Sequence, residues 1–220
     1  MKDLSKITID FLGDSITGEF YWVEPKYNYI LRMQEKLGCN VNNFGEGGTR
    51  IAKQTVPSSV PAFDEYFLLR AKRMPDADFV FVLGGTNDYG HGDSEMGSLD
   101  STDDATFCGA VRNLANYLVD RFGRDNVLFI LPLPRFDEDN PYGDGTPTKP
   151  RPSLKVYNKN EKAILDELNV PCLDLHGIFP YPTSNKWEGY YKDGLHPTPE
   201  GHQLLADCLV KYLEEWSKRH

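Results

Sequence analysis

The chain has 220 residues, of which 40% are hydrophobic and 26% charged, a composition typical of a globular domain. Its net charge of −9, with no cluster of Lys or Arg, argues against a nucleic-acid or anionic-membrane surface, because both require a basic patch. No apolar run is as long as a membrane span and no apolar signal segment precedes the first predicted strand, so we expect a cytoplasmic protein.

Short apolar runs alternate with amphipathic stretches along the whole chain. Five runs have the length and composition of buried parallel strands, at residues 7–12, 41–44, 79–83, 127–131 and 170–173. Apolar residues at helical spacing predict helices at residues 27–37, 107–122, 154–168 and 199–216. Gly38 and Gly123 are placed to end two of these helices, and Thr198 to cap the start of the last one.

This alternation predicts an α/β fold, a three-layer α/β/α sandwich with a five-stranded parallel sheet and right-handed crossovers. The sequence contains no linker, internal repeat or low-complexity segment, so we expect a single domain over residues 1–220. The four cysteines lie far apart in the sequence, which favours buried free thiols over disulfides or a metal site.

The connections that follow the strands differ from those that precede them. Links from helix to strand are short, whereas the links after strands one, three, four and five are long and rich in glycine, proline, aspartate and aromatic residues. All the long links leave the same edge of a parallel sheet, and long ordered loops are usually functional. We therefore expect the site at the carboxyl edge, with residues 137–152 as a mobile lip over it.

Gly13-Asp14-Ser15 follows the first strand and interrupts its apolar run. A serine at this edge is a candidate nucleophile, because ligands of open α/β sheets bind outside the carboxyl ends of the strands. The alternative is that Ser15 only caps the start of a helix, which is a common role for serine.

Three further segments belong to the same edge. After strand two, Asn43-Phe44-Gly45-Glu46-Gly47-Gly48 either lets backbone N–H groups approach a ligand or is a plain turn. After strand three, Gly84-Gly85-Thr86-Asn87-Asp88 brings the Asn87 amide to the crevice, although asparagine is also a common turn residue. In Asp193-Gly194-Leu195-His196-Pro197, the carboxylate can accept the Nδ1 proton of the histidine, so that Nε2 becomes a base.

One catalytic assembly uses all four segments. Ser15 attacks an acyl carbonyl, His196 takes its proton and delivers it to the leaving alcohol, and Asp193 fixes the tautomer of the histidine. The N–H groups of Ser15 and Gly45 and the side-chain amide of Asn87 donate to the developing oxyanion. This scheme requires no metal and no cofactor.

Together these segments resemble the four signature blocks of the SGNH hydrolases, the GDSL-type esterases and lipases. The matching blocks are Gly13-Asp14-Ser15, Asn43-x-Gly45-x-x-Gly48, Gly85-Thr86-Asn87-Asp88 and Asp193-x-x-His196-Pro197, in the family's order and over nearly the whole chain. The resemblance implies a flavodoxin-like fold, Ser15 as nucleophile, Gly45 and Asn87 in the oxyanion hole, and Asp193 and His196 as the rest of the triad. It leaves the substrate open, because the family includes carbohydrate deacetylases, thioesterases, lysophospholipases and acyltransferases.

The other histidines have different predicted roles. His176, two residues after Asp174 and beyond strand five, is a competing base on the same edge. His91 is a candidate substrate contact on a loop, whereas His202 and the terminal His220 are expected to face solvent.

The loops also bring aromatic and charged residues toward the predicted site. Flat aromatic side chains there can stack on sugar rings or on a moderately apolar acyl group. The candidate substrate contacts are Asp14, Trp22, Tyr89, His91, Arg135, Trp187 and Tyr191, with Tyr21, Phe136, Tyr142 and Tyr190 nearby. We expect a small-molecule substrate, a short-chain and specifically an acetyl ester of a carbohydrate or another small polar alcohol, and no nucleic-acid or membrane partner.

Three alternatives stay open on the sequence. The same triad can serve an acyltransferase, a lysophospholipase or a thioesterase, because an acyl-enzyme is resolved by water or by another nucleophile. Ser15-Ile16-Thr17-Gly18 could instead hold the phosphate of a flavin, which would leave Asn87 and the pair of Asp193 and His196 without a role. A carbohydrate-binding module without catalysis would not require the triad residues at all.

Overall fold

Over residues 1–18 and 23–220, which a computed structural model describes, five parallel strands form one sheet. The strands are β1 (Thr8–Gly13), β2 (Asn40–Gly45), β3 (Phe79–Leu83), β4 (Val127–Ile130) and β5 (Cys172–Leu173). They lie in the order β2-β1-β3-β4-β5, and every neighbouring pair is parallel. The predicted five-stranded parallel sheet is confirmed.

The same described ranges contain six α-helices, and five of them cover the two faces of the sheet. They are α1 (Tyr29–Leu37), α2 (Phe67–Ala71), α3 (Thr86–His91), α4 (Phe107–Phe122), α5 (Leu154–Glu167) and α6 (Pro199–Ser217). Helices α1 and α6 pack on one face, and α2, α4 and α5 pack on the other. This arrangement is the expected three-layer sandwich.

Alternate residues of the central strand β3 face the two helical layers. Phe79, Phe81 and Leu83 belong to the core under α1 and α6, whereas Val80 and Val82 belong to the core under α2, α4 and α5. All five side chains are buried. Because the strand is covered on both faces, its sequence is a continuous apolar run rather than an alternating one.

Strand β2 differs because it lies at the edge of the sheet. Its residues are exposed or half-buried, and three of them are asparagines, Asn40, Asn42 and Asn43. The Nδ2 of Asn42 donates to Oδ1 of Asp10 in β1 at 2.8 Å. The weak apolar character of this strand in the sequence is therefore a consequence of its edge position.

Capping residues set the boundaries of the long helices. Thr106 and Thr198 cap α4 and α6, and the Oγ1 of each accepts the N–H three residues later at 3.2 Å. Helix α1 ends at Gly38, whose φ of 69° is left-handed. The sequence pattern predicts neither α2 nor α3, because helices of 5 and 6 residues are too short to show a helical period.

The strand order reverses beside β1. From β1 the chain passes to β2 on one side and later to β3 on the other, so the carboxyl ends of β1 and β3 form a topological switch point. Ser15 follows β1 and Asn87 follows β3. The topology thus brings both residues to one crevice.

The loop over residues 137–152 is fastened to α3 by hydrogen bonds. The Asp144 N–H donates to the carbonyl of Gly90 at 2.9 Å, and the Tyr89 hydroxyl donates to the carbonyl of Asp137 at 2.6 Å. These bonds argue against the mobile lip expected from the sequence.

The four cysteines are free thiols, as predicted. Cys39 and Cys108 are buried, whereas Cys172 and Cys208 are only partly buried, contrary to expectation. Among the residues described, no helix combines the length and the apolar character needed to cross a membrane.

Candidate active site

Ser15, His196 and Asp193 form a connected chain of hydrogen bonds at the carboxyl edge of the sheet. The Oγ of Ser15 lies 2.9 Å from Nε2 of His196, and Nδ1 of His196 lies 2.7 Å from Oδ2 of Asp193. Because the carboxylate accepts a hydrogen bond from Nδ1–H, the neutral ring has a lone pair at Nε2 that accepts a hydrogen bond from the Ser15 hydroxyl. The structure therefore brings together the three residues selected from the sequence.

The loop before α6 holds the Asp193 carboxylate. Its Oδ1 accepts the N–H of Leu195 at 3.0 Å and the N–H of His196 at 2.8 Å. Burial disfavours the charged form, but the hydrogen bonds from His196 and Leu195 outweigh burial and lower the pKa of Asp193 to about 2. The carboxylate is ionised at neutral pH and can stabilise a positive charge on the His196 ring.

A tight turn after β1 presents Ser15. The carbonyl of Asp14 accepts the N–H of Thr17 at 3.2 Å and the N–H of Gly18 at 2.8 Å. The Oδ1 of Asp14 accepts the N–H of Ile16 at 2.9 Å. Among the described residues, the N–H of Ser15 has no acceptor, so it is available to a ligand at the nucleophile.

Asp14 is fully buried beneath Ser15, which corrects its sequence-based assignment as a substrate contact. The turn folds its side chain back onto the Ile16 N–H and away from solvent. Its Oδ2 has no hydrogen-bond partner, and burial raises the pKa of the carboxyl to about 6.

Asn87 is the second residue of α3 and is 4% exposed. Its Nδ2 donates to the carbonyl of Thr49 at 2.9 Å. An amide group has two hydrogens, so this bond fixes the side chain beside the glycine-rich segment and leaves the second hydrogen for another acceptor.

Gly45 is a packing position, contrary to its assignment to the oxyanion hole. Its N–H donates to Oδ1 of Asn43 at 2.8 Å and is therefore already in use. A Cβ at Gly45 would lie 2.1 Å from the backbone nitrogen of Gly18. The glycine is required because the end of β2 approaches the turn after β1 so closely.

The turn of Glu46, Gly47, Gly48 and Thr49 lies against Ser15. Its closing bond runs from the Thr49 N–H to the Glu46 carbonyl at 3.4 Å, and Gly48 has the φ of 74° that the third position of a type II turn takes. A Cβ at Gly47 would lie 3.7 Å from the Cβ of Ser15. In the described part of the chain the N–H groups of Gly47 and Gly48 have no acceptor, so two unused backbone donors adjoin the nucleophile.

A buried arginine fastens this turn to the sheet. Arg70 of α2 donates to the carbonyls of Gly13 at 3.0 Å and Phe44 at 2.5 Å, and to Oγ1 of Thr49 at 2.9 Å. One guanidinium group therefore fixes the ends of β1 and β2 relative to the turn. Sequence reasoning missed Arg70, because no local pattern separates a buried arginine from a surface one.

The sequence matches the profile of the GDSL-like lipase/acylhydrolase family over residues 11–204. The chain belongs to this family. Its members are lipases and acylhydrolases by description, and this GDSL-like enzyme is accordingly a carboxylic ester hydrolase. None of the curated proteins matches it.

Solved structures resemble this GDSL-like hydrolase over nearly its full length. A protein of Lactobacillus plantarum is 25% identical with a TM-score of 0.77, and the match covers 94% of this chain and 96% of that one. The lipase/acylhydrolase from Enterococcus faecalis is 22% identical with a TM-score of 0.58, covering 96% of each chain. A GDSL-like lipase from Bacteroides thetaiotaomicron is 19% identical with a TM-score of 0.64, covering 94% of this chain and 88% of that one.

Two aromatic residues predicted to contact substrate lie in the core of this GDSL-like hydrolase. Tyr89 is 0% exposed and Tyr191 is 1% exposed. The hydroxyl of Tyr89 donates to the carbonyls of Asp137 and Asn140, at 2.6 and 3.0 Å, and the ring of Tyr191 packs 6.2 Å from that of Phe179. Both assignments are wrong, because these rings pack in the core beneath the loops and do not face a substrate.

Arg135 also lies beneath the surface, with 8% of its area exposed. Its Nη1 donates to the carbonyl and to Oγ1 of Thr86, both at 3.2 Å, and its guanidinium lies 5.3 Å from the ring centroid of Tyr89. Because Thr86 directly precedes Asn87, Arg135 supports the start of α3. Its guanidinium already donates to Thr86 and is not available to bind a substrate.

His91 uses both ring nitrogens within the protein. Its Nδ1 lies 2.9 Å from Oδ2 of Asp144, and its Nε2 lies 3.3 Å from the carbonyl of Gly48. Neither nitrogen is free for a substrate, which contradicts the role assigned from the sequence.

Trp187 is 61% exposed, and its predicted contact with substrate stays a prediction. Tyr142 and Tyr190 are also exposed aromatic residues of these loops. Trp22 and Tyr21 lie outside the described residues.

His176 is bonded away from the triad. Its Nδ1 lies 3.2 Å from Oδ1 of Asp174, and its Nε2 lies 3.4 Å from Nδ2 of Asn158. The histidine that bonds Ser15 is His196, so the competing assignment is not supported.

His202 is buried, contrary to the expectation that it faces solvent. Its Nδ1 accepts the N–H of Tyr29 at 3.4 Å, and its ring stacks on that of Tyr29. Burial lowers the pKa of His202 to about 3, so the ring is neutral. Its position three residues before Leu205, on the buried face of α6, is the signal that could have located it.

Proposed function

We propose that this enzyme hydrolyses a short-chain, specifically an acetyl, ester of a carbohydrate or another small polar alcohol through an acyl-enzyme on Ser15. The observation that carries the proposal is the unbroken hydrogen-bond chain from Ser15 through His196 to the ionised Asp193. A serine activated by a histidine whose tautomer is fixed by a carboxylate is an established arrangement for acyl transfer.

In the first half-reaction, the Oγ of Ser15 attacks the carbonyl carbon of the ester while its proton passes to Nε2 of His196. The carbon–oxygen bond to the alcohol then breaks, and His196 returns the proton to the leaving alkoxide. Asp193 stabilises the ring during the interval in which it is positively charged. An ester of Ser15 with the acyl group remains.

In the second half-reaction, His196 takes a proton from a water molecule, whose oxygen attacks the carbonyl carbon of the acyl-enzyme. The bond between that carbon and the Oγ of Ser15 breaks, and the proton on His196 returns to the serine. The carboxylic acid leaves and the enzyme is restored.

Four donors are available to stabilise the tetrahedral oxyanion. They are the N–H of Ser15, the unused N–H groups of the Gly47–Gly48 turn, and the second hydrogen of the Asn87 amide. Removal of one such donor typically costs about a hundred- to a thousandfold in rate.

A cavity of about 10 Å³ beside Ser15 supports a small acyl group. It is bounded by Ile16, Val23 and His202 as well as by Ser15 and His196. A space of this size holds about one water molecule or one methyl group, so an acetyl group suits it and a longer chain would have to displace the side chains that bound it.

Exposed aromatic side chains support a carbohydrate as the alcohol. Tyr142, Trp187 and Tyr190 are 45%, 61% and 38% exposed in loops of the carboxyl edge. Flat aromatic rings at the edge of a site can stack on the apolar faces of sugars.

Hydrolysis of p-nitrophenyl esters of increasing chain length tests the proposal, with the native enzyme compared with Ser15→Ala and His196→Ala. We expect the acetate to be the best substrate and both variants to lose turnover. A Ser15→Ala enzyme as active as the native one would contradict the acyl-enzyme. A preference for long chains would contradict the acetyl specificity.

A separate experiment tests whether the alcohol of the ester is a carbohydrate. Trp187→Ala is expected to raise KM for an acetylated sugar while leaving KM for p-nitrophenyl acetate unchanged.

A further assay with an added sugar acceptor measures acyl transfer. Transfer that is faster than hydrolysis would make the enzyme an acyltransferase.

A further inference from the structure

We propose that His91, held by Asp144, is a positioning residue for the oxyanion donors. It fastens the carbonyl of Gly48 so that the turn of Gly47 and Gly48 keeps its N–H groups beside Ser15. This inference rests on the proposed function, in which those N–H groups stabilise the intermediate.

The contacts on the turn show how it is held. On one side Arg70 donates to Oγ1 of Thr49 at 2.9 Å, and on another Asn87 donates to the carbonyl of Thr49 at 2.9 Å. The carbonyl of Gly48 has a single described donor, Nε2 of His91 at 3.3 Å. His91 therefore restrains the peptide group that directly follows the Gly48 N–H.

Gly48 is the flexible position of this turn. Its φ of 74° lies in the left-handed region, where glycine moves without steric penalty. The closing bond from the Thr49 N–H to the Glu46 carbonyl holds this peptide only at 3.4 Å, so an external contact on the Gly48 carbonyl helps to keep it in one orientation. Preorganised donors are effective only when they stay aimed at the oxyanion. The bond from His91 supplies that contact.

Asp144 completes the arrangement from the other side of the imidazole. Its Oδ2 lies 2.9 Å from Nδ1 of His91. Burial disfavours the charged carboxylate, but hydrogen bonds from His91 and Thr146 outweigh burial and lower the pKa of Asp144 to about 2. Because a neutral imidazole has only one N–H, the doubly protonated ring is the form that donates to Asp144 and Gly48 together.

This chain of contacts links the loop after β4 to the oxyanion turn. Asp144 is itself fixed to α3, since its N–H donates to the carbonyl of Gly90 at 2.9 Å. The side chains of His91 and Asp144 are 23% and 33% exposed, so they lie near the surface and can be replaced without opening the core.

The test compares His91→Phe and Asp144→Asn with a matched control, His176→Phe. His176 is also a histidine paired with an aspartate in a loop of the carboxyl edge, with 25% of its side chain exposed, but it contacts no part of the turn. The measurements are kcat and KM for p-nitrophenyl acetate, the inhibition constant of an alkylboronic acid, whose adduct with a serine imitates the tetrahedral intermediate, and thermal unfolding.

We expect His91→Phe to lose about ten- to a hundredfold in kcat, because a displacement of about 1 Å in a catalytic group has effects of that order. KM is expected to change less than about twofold, and the boronic acid to bind more weakly by a factor similar to the loss in kcat. Asp144→Asn should show a smaller loss of the same kind. His91→Gln, which keeps one N–H donor, should recover part of kcat.

A native-like kcat and boronic acid affinity for His91→Phe, alongside an inactive Ser15→Ala, would overturn this inference while leaving the proposed function intact. An equal loss of kcat in His176→Phe would also overturn it, because the effect would then be unspecific. Full activity of Ser15→Ala would overturn the proposed function and this inference together.

Discussion

Ser15 and His196 are 181 positions apart in the chain, yet the Oγ of one lies 2.9 Å from Nε2 of the other. Ser15 follows the first strand, and His196 lies three residues before the last helix. The position of the base relative to the nucleophile therefore depends on how α6 packs against α1 and the sheet. The third member, Asp193, is only three residues from His196, so that pair is set locally by one turn.

Asp193→Asn tests the role of the carboxylate. An amide can donate to Nδ1 and so favour the tautomer with its proton on Nε2, which cannot accept from Ser15; kcat is expected to fall by about 10⁴-fold with little change in KM. Asp174→Asn is the matched control, because Asp174 pairs with His176 at 3.2 Å away from the triad. Steady-state kinetics on p-nitrophenyl acetate give kcat and KM for both variants. A loss of less than about tenfold would show that His196 keeps its orientation without the carboxylate.

Arg70→Met is expected to destabilise the fold and the oxyanion turn. The variant removes the guanidinium donor from the carbonyls of Gly13 and Phe44. The Gly13 carbonyl keeps the N–H of Glu46 at 3.1 Å, whereas a buried group left unsatisfied costs about 1–3 kcal/mol. The control is Arg73→Met on the same segment, where the arginine pairs with Glu65 at the surface and is expected to contribute less than about 1 kcal/mol. Urea unfolding measures both. Equal effects of the two substitutions would mean that the strand ends are held without Arg70.

Elements with a strong periodic signal, and residues fixed by local geometry, could be predicted from the sequence. The continuous apolar run of β3 and the capped amphipathic helix α6 are examples, since each is specified by its own residues. Asp193 and His196 were found for the same reason, because their hydrogen bond forms within one turn.

The errors concern residues whose position depends on tertiary contacts. Tyr89 and Tyr191 belong to loops, and nothing local shows that their rings turn inward to fill the core. Gly45 matches its motif, but the side chain of Asn43 takes its N–H, and the close approach to Gly18 that makes Gly45 a packing position is a tertiary contact. The exposure predicted for His202 was wrong because it followed from the polar residue type, whereas the helical spacing from Leu205 indicates burial.

Gly45 and Gly47 differ in how closely other atoms approach them. Gly45→Ala places a Cβ 2.1 Å from the Gly18 nitrogen, so we expect a protein that is poorly folded. Gly47→Ala places a Cβ 3.7 Å from the Cβ of Ser15, which is ordinary contact distance, so we expect a stable fold. Circular dichroism during thermal unfolding distinguishes them. A Gly45→Ala variant with native stability would mean that β2 and the turn after β1 can move apart at little cost.

The buried carboxyl of Asp14 predicts a specific dependence of stability on pH. Burial raises its pKa from 3.8 to about 6 in the folded protein. The folded state therefore holds the proton over a range in which the unfolded state has lost it. The protonated Asp14 carboxyl contributes its full stabilisation below the pKa of the unfolded state. This stabilisation is lost as the pH rises through the pKa of the folded state. A shift of this size corresponds to about 3 kcal/mol, since one pKa unit is about 1.4 kcal/mol.

Asp14→Asn removes this titration and keeps an oxygen for the Ile16 N–H. Relative to the native enzyme, the variant should gain about 3 kcal/mol in the free energy of unfolding between roughly pH 4 and roughly pH 7.5. The two proteins share all other titrating groups, so the effects of those groups on the free energy of unfolding cancel when variant and native enzyme are compared at each pH. Urea unfolding across that range measures the difference. If the difference between variant and native enzyme stays constant with pH, Asp14 is already ionised in the folded state, and its Oδ2 must then have a partner such as a buried water molecule.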